Sequence, residues 1–179
     1  MKASILLVDD EPNVLAALQR ALRVPLRDLA RIEAFSDTQQ ALARVREHAF
    51  DVVVSDFRMP QQDGVSFLGE VRAVQPGAVR MIVSGSADVS TLIRAVNDAQ
   101  VFRYILKPWE DADLVRSLRL ALDRARAGRE DAQLADAMRV QKGQLPAQEA
   151  ERRRLEAQEP GLTHVEWGPN GEVLMPPLE

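Results

Sequence analysis

Short apolar, β-rich runs alternate along this chain with stretches of helical periodicity, and three of those runs end on charged side chains. Ile5-Leu6-Leu7-Val8 ends at Asp9 and Asp10, and Val52-Val53-Val54-Ser55 ends at Asp56. Val101-Phe102-Arg103-Tyr104-Ile105-Leu106 ends at Lys107, which Pro108 follows. A run that stays apolar through consecutive positions has the pattern of a strand covered on both faces, and repeated alternation with helices makes the sheet parallel. Parallel neighbours deliver their last residues to one edge, and that edge is where open α/β sheets bind ligands. Three carboxylates gathered there repel one another and invite a divalent cation, and a hard oxygen cluster suits Mg²⁺.

The elements between these ends follow from periodicity and punctuation. Ser4–Val8, Ala30–Phe35, Asp51–Ser55, Val79–Val83 and Phe102–Leu106 read as strands. Pro12 to Arg23 is helical, with Val14, Leu15, Leu18 and Leu22 on one face. Ser36 or Asp37 caps a helix through Ala41, Leu42 and Val45. Another helix runs from Val65 to about Val74, and Asp88 opens one bearing Leu92, Ile93 and Val96. A final helix starts near Glu110 and carries Leu114, Val115, Leu118 and Leu122. Five such βα units with right-handed crossovers fit a flavodoxin-like, doubly wound five-stranded sheet of order 2-1-3-4-5. In that order the strands ending at Asp9 and Asp56 are neighbours.

Composition narrows the chemistry. A chain of 179 residues with no cysteine has no disulfide, thiolate metal site or cysteine nucleophile. Its two histidines, His48 and His164, are far apart in sequence and read as surface residues. A formal net charge of −4 argues against a chain that coats nucleic acid or an anionic membrane. No apolar stretch approaches the length that spans a bilayer, and no signal-peptide pattern precedes the first strand, so the expectation is a cytoplasmic protein.

Beyond Arg124 the character changes. Arg124 to Gln144 is charged and alanine-rich and prolongs the final helix, with Gly128 and Gly143 weakening it and Pro146 ending it. Leu118, Leu122, Ala125, Leu134 and Met138 form an incomplete seam for pairing with a second copy. Ala147–Glu159 is a further charged helix, in which Arg152-Arg153-Arg154 is surrounded by glutamates and reads as a solvated face. Leu162–Trp167 and Glu172–Met175 flank a turn at Gly168-Pro169-Asn170-Gly171 and read as a small β-hairpin. The expected division is residues 1–125, a charged helical extension over 126–160, and a short tail over 161–179.

Taken together, Leu7-Val8-Asp9-Asp10-Glu11-Pro12, Ser55-Asp56-Phe57-Arg58-Met59-Pro60 with Asp63-Gly64, Val83-Ser84-Gly85 and Tyr104-Ile105-Leu106-Lys107-Pro108-Trp109 resemble a response regulator receiver domain of the CheY-like type. The resemblance covers residues 3 to about 125. It implies that Asp56 accepts a phosphoryl group from a sensor histidine kinase or phosphotransfer protein. Mg²⁺ would be held by Asp9, Asp10, Asp56 and the backbone carbonyl of Arg58. It further implies that Lys107 and the Ser84 hydroxyl meet the phosphoryl oxygens, that Tyr104 is the switch aromatic, and that the Lys107–Pro108 bond is cis. Arg58 and Ser86 stand where the family tunes dephosphorylation. The face made by the fourth helix, fifth strand and fifth helix would then rearrange, and that face or the helical extension is the expected surface for a homodimer. The biological role so implied is signalling rather than enzymatic turnover.

Two other readings remain beside it. A degenerate receiver would act as a scaffold alone. The Arg103-Tyr104 and Lys107-Pro108-Trp109 wording also resembles receivers coupled to cyclic-dinucleotide phosphodiesterases of the HD-GYP type, whose catalytic motif this sequence lacks. An aspartate-nucleophile phosphatase of the haloacid dehalogenase type needs an Asp-x-Asp pattern, which neither Asp9-Asp10-Glu11 nor Asp56-Phe57-Arg58 provides.

Overall fold

Five short strands, β1 (Ala3–Val8), β2 (Ala30–Phe35), β3 (Val52–Asp56), β4 (Val79–Ser84) and β5 (Arg103–Leu106), pair in parallel as one sheet in the order β2-β1-β3-β4-β5. This computed structural model describes residues 2–85, 93, 95 and 97–160. The helix expected from Asp88 falls largely outside the described residues, and the hairpin expected over 162–175 falls wholly outside them. The helices are α1 (Pro12–Arg23), α2 (Thr38–Glu47), α3 (Gly64–Val74), α4 (Asp111–Gln141) and α5 (Ala147–Gln158).

The apolar runs are buried on both faces, as continuous hydrophobicity requires. Ile5, Leu7, Val52, Val54, Met81 and Val83 pack with α1 and α4. Leu6, Val8, Val53 and Ile82 face the other way, onto α2, α3 and the small residues Ala95 and Ala99. Asp37, rather than Ser36, caps α2, its carboxylate accepting the Gln39 and Gln40 N–H groups at 2.8 and 2.9 Å. Asp63 caps α3 by accepting from Ser66 N–H at 2.8 Å. Such caps satisfy donors that the first turn leaves unpaired.

The C-terminal seam needs correction. Leu118 and Ala125 are fully buried in the sheet-facing core, and Leu122 packs half-buried against it. They sit on the helix stripe that already covers the sheet, so a second copy cannot use them without opening the fold. Leu134 and Met138, past the sheet, remain more than half or about half exposed. The arginine run behaves as a solvated face: Arg152 and Arg153 pair with Glu149, and Arg154 pairs with Glu151, along the exposed side of α5.

A buried glutamine joins loops that local sequence leaves unspecified. The Gln75 side chain accepts from Phe50 N–H at 2.9 Å and donates to the carbonyls of Val45 and His48 at 2.5 and 2.7 Å. Gln75→Ala leaves these backbone groups unpaired in a dry environment. The expected cost is about 2–4 kcal/mol, read as a lower urea midpoint at unchanged m-value.

Candidate functional site

Strand register builds one charged edge. Val8 lies opposite Ser55, so the chain continues to place Asp9 beside Asp56. Asp56 pairs with Val83 and Ser84 pairs with Leu106, which sets Ser84 and Lys107 one step further along. The Lys107 N–H donates to the Ser84 carbonyl at 2.8 Å, and the Lys107–Pro108 peptide is cis. From this position Lys107 Nζ reaches Asp9 Oδ2 at 2.8 Å and Asp56 Oδ1 at 2.6 Å. Both carboxylates are buried; Asp9 is 1% exposed and Asp56 6%.

The remaining carboxylate oxygens are held by backbone. Asp56 Oδ2 accepts the Arg58 N–H at 2.6 Å, and Asp9 Oδ1 accepts the Glu11 N–H at 3.0 Å. Such charge-assisted bonds fix side-chain rotamers and orient the Asp56 carboxylate within the turn that leaves β3. Gly64 is part of the same turn. Its N–H donates to the Phe57 carbonyl at 2.8 Å, and a Cβ placed on it would lie 2.0 Å from the Asp56 carbonyl oxygen. Beside Ser84, a Cβ at Gly85 would meet nothing within 4 Å among the described residues.

The structure joins Asp9 and Asp56 through Lys107, and Asp10 follows Asp9 just past the end of β1. Successive residues leaving a strand project in different directions. Asp9 takes the inward one, and Asp10 is only half-buried. Among the described residues, no group of three Asp, Glu, His or Cys side chains is arranged to hold a metal ion. Two carboxylates against one ammonium still leave net negative charge among hard oxygen donors. That donor set fits Mg²⁺, which typically takes only one or two carboxylates and completes its shell with water and phosphate oxygens. Ser84 is 1% exposed at the end of β4, and Tyr104 is half-buried against the α2/α3 core. Arg58 keeps its side chain exposed. Ser86 and His164 lie outside the described residues, and His48 contacts Ser4 Oγ at 3.4 Å and the Phe50 ring edge-on.

The motif wording already contained Gly64, but its role needed the fold. An Asp-Gly pair after a loop signals a turn; only packing reveals that the turn closes on the backbone of Asp56.

Burial and charge oppose each other on Asp9. Burial pushes its carboxyl above the usual range, and the hydrogen bond and charge of Lys107 only partly offset this. Burial also presses the Lys107 ammonium downward, but its bonds to Asp56 and Asp9 outweigh that and raise it overall. A carboxyl raised on folding contributes fully below its unfolded pKa, about 3.9, and loses that contribution as pH rises through the folded value. Ionised Asp9 therefore weighs against the fold at neutral pH. Asp9→Asn is expected to raise the melting temperature at pH 7, with the gain over the parent shrinking as the pH falls through the raised folded value and levelling off near the unfolded pKa of about 3.9. Thermal unfolding across that range measures it.

Comparison with known proteins shows the family. The response regulator receiver domain family matches residues 5–119. The hydrogenase transcriptional regulatory protein HoxA of Cupriavidus necator is 38% identical over 122 residues, which cover 68% of this chain and 24% of that protein. The C4-dicarboxylate transport transcriptional regulatory protein DctD of Rhizobium meliloti is 29% identical over 80% of this chain and 30% of its own length. The chain thus spans about a quarter to a third of the curated relatives it matches. Among solved structures, the signal receiver domain of an HD domain-containing protein from Pseudomonas fluorescens Pf-5 superposes with a TM-score of 0.67 at 30% identity, covering 71% of this chain and 99% of that one.

Proposed function

The chain belongs to the response regulator receiver domain family, and from that premise we propose that it is a phosphoacceptor switch in which Asp56 takes a phosphoryl group from a phosphohistidine. The observation that carries the reading is the Lys107 ammonium bridging the buried Asp9 and Asp56 carboxylates at 2.8 and 2.6 Å. An Asp56 carboxylate oxygen attacks phosphorus, the new O–P bond forms, and the P–N bond to the donor imidazole breaks. Asp56 enters the reaction already oriented by the Arg58 N–H and Lys107. Once the acyl phosphate forms, the Lys107 ammonium and the Ser84 hydroxyl serve the phosphoryl oxygens, and Tyr104 follows Ser84. Mg²⁺, when held by Asp9, Asp10, Asp56 and the backbone carbonyl of Arg58, neutralises charge on the phosphoryl group.

The product is a local gain of negative charge that shifts the population of a two-state fold, not a released compound, so the role is signalling. The donor is a sensor histidine kinase or a phosphotransfer protein. In this reading residues 1–125 form the switch and the extension over 126–160 carries its state to a partner. The exposed Leu134 and Met138 suit pairing of two copies. The relatives named for transcriptional regulation favour control of a transcription regulator as output. The likeness to a receiver from an HD domain-containing protein supports a second output, control of a phosphodiesterase of that class.

The test combines acetyl phosphate with Mg²⁺ and, separately, beryllofluoride with Mg²⁺. One phosphoryl group per chain, trapped at Asp56 by borohydride reduction and mass mapping, is expected, together with saturable ¹⁹F signals from bound beryllofluoride. Absence of both would leave a scaffold. Continuous release of phosphate at enzymatic rates would favour the aspartate-nucleophile phosphatase.

A further inference from the structure

At the opposite end of β3 from Asp56 lies a second buried carboxylate that the phosphoacceptor reading does not use. Asp51 is 7% exposed. Its backbone is held on both sides, its N–H donating to the Ser4 carbonyl at 2.9 Å and its carbonyl accepting from Val79 N–H at 2.8 Å. One carboxylate oxygen accepts the Ser4 N–H at 2.7 Å. The other makes an ion pair with the Arg129 guanidinium and accepts no hydrogen bond from any described residue. A buried charge requires such a partner, because leaving it alone in a poorly hydrated site is unfavourable.

Arg129 reaches that site because of where α4 runs. Leu114, Leu118, Ala121 and Ala125 are buried along one stripe of the helix, and Arg129 continues the stripe one turn later. The stretch from Asp111 to Arg129 is about 27 Å long at the α-helical rise, more than the roughly 20 Å of a six-residue strand. Arg129 therefore falls at the N-terminal edge of the sheet, opposite the charged edge. Beyond it, α5 folds back on α4, with Arg153 3.7 Å from Asp136.

We propose that the Arg129–Asp51 pair is a clamp that makes the first turn of the helical extension part of the receiver's rigid body. The clamp holds the exposed Leu134 and Met138 in one rotational setting relative to the sheet. The surface offered to a partner is thus oriented by the receiver, and the extension does not swing as a loose linker. This inference stands apart from phosphoryl acceptance.

Hydrogen exchange on the full chain tests it. In Arg129→Met, amides over residues 126–133 are expected to exchange at least tenfold faster, while core strand amides keep their rates. Arg129→Lys, which retains the cation, should show a smaller rise. Asp51→Asn should reproduce the effect of Arg129→Met, and the double variant should exchange no faster than the more affected single variant, as residues acting through one contact do. Unchanged exchange in Arg129→Met would overturn the clamp. So would effects of the two single variants that multiply in the double, because the residues would then act independently.

Discussion

Asp56→Asn is expected to abolish phosphoryl uptake from acetyl phosphate while the chain stays folded. In the proposed mechanism the Asp56 carboxylate attacks phosphorus, and an amide in its place has no nucleophilic oxygen of comparable basicity. Asparagine nevertheless keeps the volume and an oxygen able to accept the Arg58 N–H, which Asp56 now receives at 2.6 Å. Lys107 retains Asp9 as a partner at 2.8 Å. Circular dichroism should therefore remain that of the parent. Incorporation, followed by phosphate-affinity electrophoresis, should fall below detection with Mg²⁺ present. Undiminished labelling in Asp56→Asn would move the acceptor elsewhere and dismantle the mechanism.

The second large effect is expected at Gly64, whose backbone lies against that of Asp56. A Cβ there would stand 2.0 Å from the Asp56 carbonyl oxygen and 3.0 Å from Ser55 Oγ. That carbonyl is already engaged by the Ser55 hydroxyl at 2.8 Å, and the Gly64 N–H is tied to Phe57 at 2.8 Å. The neighbour is backbone at the end of a buried central strand, so it cannot yield as the tip of a flexible side chain would. Overpacking of this kind typically costs 1–3 kcal/mol, and a fixed main-chain obstacle places Gly64→Ala at about 3 kcal/mol. For a domain of this size that lowers the melting temperature by roughly 10 °C. Because the displaced atom belongs to Asp56, labelling by acetyl phosphate should fall along with stability. A thermal melt and an uptake assay on the same preparation check both. A variant with parental melting temperature would show that the turn has slack the packing does not suggest.

The reading of elements succeeded where neighbouring residues carry the signal. Val52-Val53-Val54 declares a two-sided buried strand, Pro12 sits at the start of α1, and Asp37 caps the helix that follows it. Asp9, Asp56 and Lys107 were legible as strand-end residues, Ser84 came in through the resemblance, and the motif order pointed to the family that the comparisons show. Contacts between distant residues were not legible in that way. The seam through Leu118 and Ala125 looked available because periodicity reports an apolar stripe without saying what covers it. Here the sheet covers it.

Periodicity, breakers and caps are local properties, so the order of strands and helices in this protein was decided before any folding was seen. Meetings between residues far apart in the chain depend instead on register and layer packing, which no short window records. Tertiary structure alone brought Lys107 onto Asp9 across 98 positions, set Gly64 against Asp56 and placed Arg129 on Asp51. The physical reason is that each is a contact between elements, where a shift of one residue would move every side chain to a different neighbour.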